Sequence, residues 1–320
     1  MRMSPPVSST PDEPLEDSRI EEGAKASESP QPLDSWPEFV TKASTDKIIE
    51  RFRNEVDQIV TKASDSLGGY LILGLLDPES SISSFDSDSI YRALENANDK
   101  DVLLIILSTG GLIEPAYQIS KLCKAFSKNK FVVAIPREAK SAATLIALGA
   151  DEIHMGPLSQ LGPIDPQIGG LPALGVIQAL KTLAEIAEKY PKSAEMFARY
   201  LRLTITVEQI GYCERISESA TQYAERLLST KPSLQEKAKE IAHDLVHEYK
   251  HHRFVIDFEE AIQRLGSGWI KTSTPELYLA ESIYNLFDWV NFWLGDKRSK
   301  RLLVIGSLNN NILVLDRKKS

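Results

Sequence analysis

These 320 residues predict a layered α/β protein built round a parallel sheet, on three observations. Apolar strands and helical segments alternate repeatedly between Gly69 and Pro157, the pattern of parallel strands joined by crossovers. The strands are continuously apolar, as in "DVLLIILST", rather than alternating, which fits burial on both faces. After Gly170 the chain turns almost wholly helical, adding helices to one sheet rather than a second sheet.

In order, residues 1–40 are rich in Ser, Pro and acids and read as a disordered tail without the apolar segment of a signal peptide. Residues 41–320 read as the folded domain. Asp46–Leu67 places Ile48, Phe52, Val56 and Ile59 at helical spacing. Gly69–Leu76 is the first strand, and "DSDSIYRALENAND" a helix capped by Asp88 or Ser89. Asp101–Thr109, Phe131–Pro136 and Asp151–Pro157 are the next three strands. A helix over Pro115–Ser127 and a short apolar one over Ser141–Gly149 separate them. Beyond a Pro- and Gly-rich loop, 156–170, helices are expected over 171–190, 208–228, 233–249 and 276–295. Trp289 and Trp293 share a face of the last, suited to core packing or a subunit interface. "RLLVIGSLNNNILVLD" predicts a terminal hairpin.

The composition, 42% hydrophobic and 26% charged, is that of a globular domain. A net charge of -8 without a basic stripe argues against nucleic acid as a partner. No apolar run reaches the roughly 18 residues of a membrane span, so a cytoplasmic protein is expected. Cys123 and Cys213, far apart, read as packed thiols of a reducing compartment. There is no zinc spacing and no G-x-G-x-x-G after a strand, so no cofactor is expected.

The stretch "REAKSAATLIALGADEI", Arg137–Ile153, sets Ser141 between basic residues and a run of small apolar ones. A serine there serves as a helix N-cap or as a nucleophile beyond the carboxyl end of a strand, where sites form in parallel sheets. Three neighbours favour chemistry. Gly110 and Gly111 follow another strand and leave backbone N–H groups free to approach an oxyanion. Ala142 and Ala143 leave room beside the hydroxyl, and the long loop 156–170 follows the fourth strand.

Here the residues match a family. Ser141 with "AATLIALGADEIHMGPLSQLGPIDPQ", and "LGPIDPQ" (Leu161–Gln167) above all, closely resembles the serine dehydrogenase proteinase family. This is a branch of the Clp protease/crotonase superfamily, related to signal peptide peptidase A. The resemblance covers about Gly69–Gln167 well and continues more loosely through "HHRFVIDFEEA". It implies a Clp/crotonase-type spiral of ββα units with helical C-terminal additions and a tendency to form homo-oligomers. It also implies Ser141 as the nucleophile of a peptidase, with Gly110, Gly111 and the Ala142 amide at the oxyanion hole. Two positions depart from the pattern: Thr109 stands where relatives carry proline, and Ala143 where they often carry glycine.

The base stays open between several residues. Clp proteases place a histidine about 25 residues after the serine, and here that point is Asp165–Pro166, so their triad order does not apply. Lys181 matches the serine–lysine spacing of the related membrane peptidases, and apolar neighbours disfavour a charged amine. His252, and less so His251, offers an imidazole that works as a base near neutral pH. Lys140 could hold substrate, His154 reads as a packed strand residue, and Asp165 as a brace for its loop or an orienting carboxylate. The expected function is a serine hydrolase, a peptidase acting on peptide or protein. The alternative is a non-catalytic oligomeric scaffold of the same fold; acyl-CoA chemistry, which shares the fold, ranks third.

Overall fold

A computed structural model describes residues 33–95, 99–168 and 171–317. The chain opens with a 3-10 turn, Leu33–Ser35, and helix α1 (Trp36–Lys42). Residues 33–40 are therefore folded, a correction to the tail boundary at 40: Trp36 and Val40 are fully buried against the core. The rest of that expected tail lies outside the described residues. Helix α2 (Thr45–Lys62) and one turn, α3 (Ser64–Leu67), lead into strand β1 (Tyr70–Leu76). Helix α4 (Ser84–Leu94) starts before its expected cap. Ser83 fills that place, because Asp86 Oδ2 accepts both the Ser83 N–H (2.7 Å) and its hydroxyl (2.8 Å).

Strand β2 (Asp101–Leu107), helix α5 (Ile113–Phe126) and strand β3 (Phe131–Ile135) follow. Then come the two-residue β4 (Glu138–Ala139), helix α6 (Ala142–Leu148), β5 (Glu152–Met155) and β6 (Gln160–Leu161). A small pair, β7 (Gln167–Ile168) and β8 (Leu171–Pro172), precedes the helices α7 (Ala173–Lys189), α8 (Ala194–Thr204), α9 (Val207–Leu228), α10 (Ala238–His247) and α11 (Phe258–Leu265). Strand β9 (Ile270–Lys271), the long helix α12 (Pro275–Arg298) and the hairpin β10 (Lys300–Ser307) and β11 (Ile312–Asp316) end the chain.

The main sheet runs β11-β10-β1-β2-β3-β5-β9. Its β1-β2-β3-β5-β9 part is parallel, and the terminal hairpin joins antiparallel to β1. Both faces are covered. Helices α4, α5, α6 and α9 pack on one side with Val102, Leu104 and Val133. Helices α1, α2 and α12 pack on the other with Leu103, Ile105 and Val132. Burial on both sides is why β2 and β3 read as unbroken apolar runs.

A second, shorter ladder sets up the site. Strands β1, β2, β3 and β5 each run on into a residue or two that pairs again. Ile82 bridges Gly111, Ser108 bridges Ala139, β4 pairs with β6, and Leu161 bridges Ile256. These are the expected ββα units: a long strand, a short rung, then a helix. The rungs gather the loops at the carboxyl ends of β1, β2, β3 and β5 on one line. No described helix is long and apolar enough to cross a membrane.

Candidate active site

Ser141 lies between β4 and α6 with φ 52° and ψ -119°, a backbone conformation that few side chains adopt. Such strain costs about 1–3 kcal/mol and collects at functional sites. Packing holds it there. Lys140 N donates to Ser108 O (3.0 Å), and Ala143 N and Leu145 N donate to Lys140 O (2.9 Å) and Ser141 O (3.2 Å). Every residue of α6 is buried. Thr144 adds a staple: its hydroxyl lies 2.7 Å from Ala139 O and 2.8 Å from Gly162 O. The Ser141 hydroxyl makes no capping hydrogen bond. Of the two readings of this serine, that of a helix cap fails, because a cap needs extended backbone and this residue has positive φ.

The two glycines meet Ser141 from β2. Gly110 has φ 106°, and a Cβ there would lie 2.7 Å from both Ser141 Cβ and Lys140 O. A Cβ on Gly111 would lie 2.1 Å from Ile82 N. No side chain fits at either position. Ile82 N donates to Gly110 O (2.9 Å) and Leu112 N to Ile82 O (2.9 Å). Those two bonds use the residues on either side of Gly111, so its own N–H points away from residue 82. Gly110 N is held by Ser108 Oγ at 3.2 Å. The turn thus keeps one N–H in its own framework and leaves the next one free of it.

Ser141, Gly110 and Gly111 line a cavity of about 730 Å³, and His252 lines the same cavity. His252 arrives from far along the chain, on the segment between α10 and α11. That segment is fixed at both ends. Tyr249 and Phe254 pack with tilted rings, their centroids 4.9 Å apart, and Ile256 exchanges two backbone hydrogen bonds with Leu161 (2.9 and 3.0 Å). His252 Nδ1 faces Asp165 Oδ2 at 3.6 Å. Asp165 is almost fully buried, and Oδ2 also accepts from Gln167 Nε2 at 3.2 Å. Asp165 Oδ1 and His252 Nδ1 are buried without hydrogen-bond partners. Closing the gap by a few tenths of an ångström would satisfy the imidazole nitrogen, and catalytic hydrogen bonds in empty sites are often this long.

Of the residues singled out in the sequence, the structure brings Ser141, Gly110, Gly111, Lys140 and His252 to one cavity. Ala142 follows Ser141 as the first residue of α6. Lys140 is paired there with Glu138 at 3.8 Å. Lys181 is exposed on α7 and lines a different cavity, of about 340 Å³, behind Asp165. His251 is exposed, and its Nδ1 accepts from Arg253 N at 3.1 Å. His154 is buried on β5, 2.6 Å from Thr274 Oγ1, away from this cavity. Three wall residues, Glu138, Gln167 and Arg253, lie inside stretches the sequence marked but were not singled out there as site residues, since only the fold brings them together. Among the described residues no group of three His, Cys, Asp or Glu side chains is arranged to hold a metal.

The family described as ClpP-like SDH-type serine proteinase matches residues 80–301. An uncharacterized protein of Methanocaldococcus jannaschii is 34% identical over 201 residues, 62% of this chain and 64% of its own length. A second from the same organism is 43% identical over 95 residues, 29% of this chain and 32% of its own length. The chain thus spans less than two thirds of either relative. Among solved structures, a mutant of the membrane-bound stomatin-specific protease 1510-N in complex with a substrate peptide is 16% identical, with a TM-score of 0.42. The match covers 77% of this chain and 86% of that one. ClpP1 from Listeria monocytogenes is 14% identical with a TM-score of 0.37, covering 68% of this chain and 99% of that one. With the site on the second ladder and the family match across more than half its length, the chain belongs to the ClpP-like SDH-type serine proteinases.

Proposed function

We propose that the chain is a serine hydrolase of peptide bonds, with Ser141 as nucleophile, His252 as general base and Asp165 as the carboxylate that orients the imidazole. The observation that carries this is the single cavity shared by Ser141 and His252, with His252 Nδ1 turned to a buried carboxylate. That orientation leaves Nε2 to take the Ser141 proton as Oγ attacks the scissile carbonyl. The N–H groups of Gly111 and Ala142 receive the developing oxyanion. Protonated His252 then gives its proton to the leaving amine, and a water hydrolyses the acyl-enzyme with His252 again as base. Chain order becomes Ser–Asp–His, unlike the Clp order, with the aspartate about where Clp proteases carry histidine. Lys181 has no part in this reading because it lines another cavity.

Homo-oligomerisation belongs to the same proposal. Helix α8 buries no residue of its own, and Met196, Tyr200 and Leu203 on it are exposed, as is Val207 just beyond. A second copy of the chain would cover them.

A fluorophosphonate probe tests the chemistry. Labelling mapped by mass spectrometry falls on Ser141, is lost in His252→Gln, and vanishes in Ser141→Ala with folding intact. No labelling of a folded sample would leave the scaffold reading in its place.

A further inference from the structure

The wall of the shared cavity carries an unbalanced charge. Glu138 and Lys140 answer each other at 3.8 Å. Arg253, next to His252, also lines the cavity and is exposed, and it forms no ion pair with any described carboxylate. Its backbone is anchored, since Arg253 N donates to His251 Nδ1 at 3.1 Å and Phe254 N to His251 O at 2.9 Å. The guanidinium is therefore an unpaired cation on the wall of the cleft, carried by an anchored backbone.

A second cavity, of about 760 Å³, meets the first at Pro78 and Glu138. Its wall is more acidic: Asp77, Glu79 and Asp296 there are taken by Arg301, Arg317 and Lys297, Arg137 is taken by Glu281, and Asp288 has no ion-pair partner among the described residues. A ligand laid across both cavities meets acid at one end and Arg253 at the other.

We propose that Arg253 recognises a carboxylate of the peptide substrate, on the His252 side of the cleft. The proposal rests on the reading of this cavity as the place of peptide hydrolysis. Arginine suits the task because its planar fork grips a carboxylate with two hydrogen bonds while staying charged at any working pH. A carboxylate at the other end faces the unpaired Asp288 and is disfavoured there. The carboxylate comes from an internal Asp or Glu, or from the end of the substrate chain.

The test uses fluorescein-labelled hexapeptides in which one Glu moves through every position. Each has a Gln counterpart, and each is made with a free and with an amidated C-terminus. Binding to the full Ser141→Ala protein is read by fluorescence anisotropy, and kcat/KM is read on the unmutated enzyme. At one position, or at the free C-terminus, the charged form is favoured about tenfold, the scale of one ion pair near a protein surface, and the margin shrinks with salt. Arg253→Ala removes the margin, Arg253→Lys restores part of it, and Arg253→Glu shifts the preference to Lys at that position, a gain that a structural role would not give. A margin that follows Glu identifies an internal side chain; one lost on amidation identifies the chain end; either supports the proposal. Equal behaviour of Glu and Gln peptides throughout, or a margin that survives Arg253→Ala, overturns it. The anisotropy arm needs no turnover. A Glu margin without Ser141 labelling sinks only the hydrolase reading, and labelling without a margin sinks only the role of Arg253.

Discussion

The stretch from β2 to α6 and the segment between α10 and α11 supply the two halves of the site in opposite ways. The first half is made of backbone. Gly110, Gly111 and Ser141 are placed by positive φ angles and by approaches too close for any added Cβ. The second half is made of one side chain, His252, brought in on a short segment that is pinned by Tyr249, Phe254 and Ile256. Backbone geometry demands particular residue types at short spacing. A side chain delivered from a distance demands only that its segment be anchored. If the proposed roles hold, damage to the first half is expected to act through the fold as well as the chemistry, and damage to the second on chemistry alone.

That contrast can be pressed experimentally. His252→Gln keeps a similar shape and should lower kcat by about 10³- to 10⁴-fold with the thermal midpoint barely moved; a large drop in the midpoint would show the imidazole to be structural. Gly110→Ala drives a Cβ into Ser141 and Lys140. It should slow probe labelling by about 10²- to 10³-fold, the scale of a lost oxyanion donor, and also lower the midpoint. Full labelling in that variant would break the claim that the turn and the serine form one unit.

His154 separates loss of fold from titration of the site. Burial of its ring lowers its pKa from the ordinary value, against the pull of Glu276 and Glu152. Between that lowered value and about 6.5 the unfolded chain binds more protons than the folded one. Its contribution to stability is thus complete above pH 6.5 and is lost as pH falls through the window. Urea midpoints at pH 5.5 and 7.5 should show this loss, and His154→Gln should flatten it; an unchanged slope would refute the assignment. The smallest effect is expected from Lys181→Met, within about twofold of the parent in kcat/KM, because the ammonium is exposed on another cavity. A loss of a hundredfold would return the base to lysine.

The same contrast explains what was legible in the sequence. The four strands, the helices between them and the terminal hairpin followed from period and punctuation, because a sheet buried on both faces writes unbroken apolar runs such as "DVLLIIL". Ser141 and the glycine pair were legible because backbone constraints fix residue type. The rungs were not legible: a pairing of one or two residues, such as Ile82 with Gly111, has no period to detect. His252 could be named as a candidate but not ranked over Lys181, since no spacing rule reaches from α6 to the segment after α10. Asp165 was weighed as a brace or an orienting carboxylate, and its 3.6 Å approach to His252 supports the second. The start of α4 was misplaced because Ser83, not Asp88 or Ser89, caps it.

The line of short rungs has a consequence for ancestry. Gly111 and Glu138 of two rungs border the cleft itself, and the segment that pairs through Ile256 brings His252 to it, so more than one rung can carry a proton acceptor to the serine. Relocating the base from one loop to another would require no change in the strands, the glycine turn or the nucleophile, only a new residue on a neighbouring rung. Under the proposed reading of the site, the nucleophile stays in place and the base is portable. Lineages with the same serine and different partners for it are then the expected outcome of one scaffold drifting, without any need for a second origin.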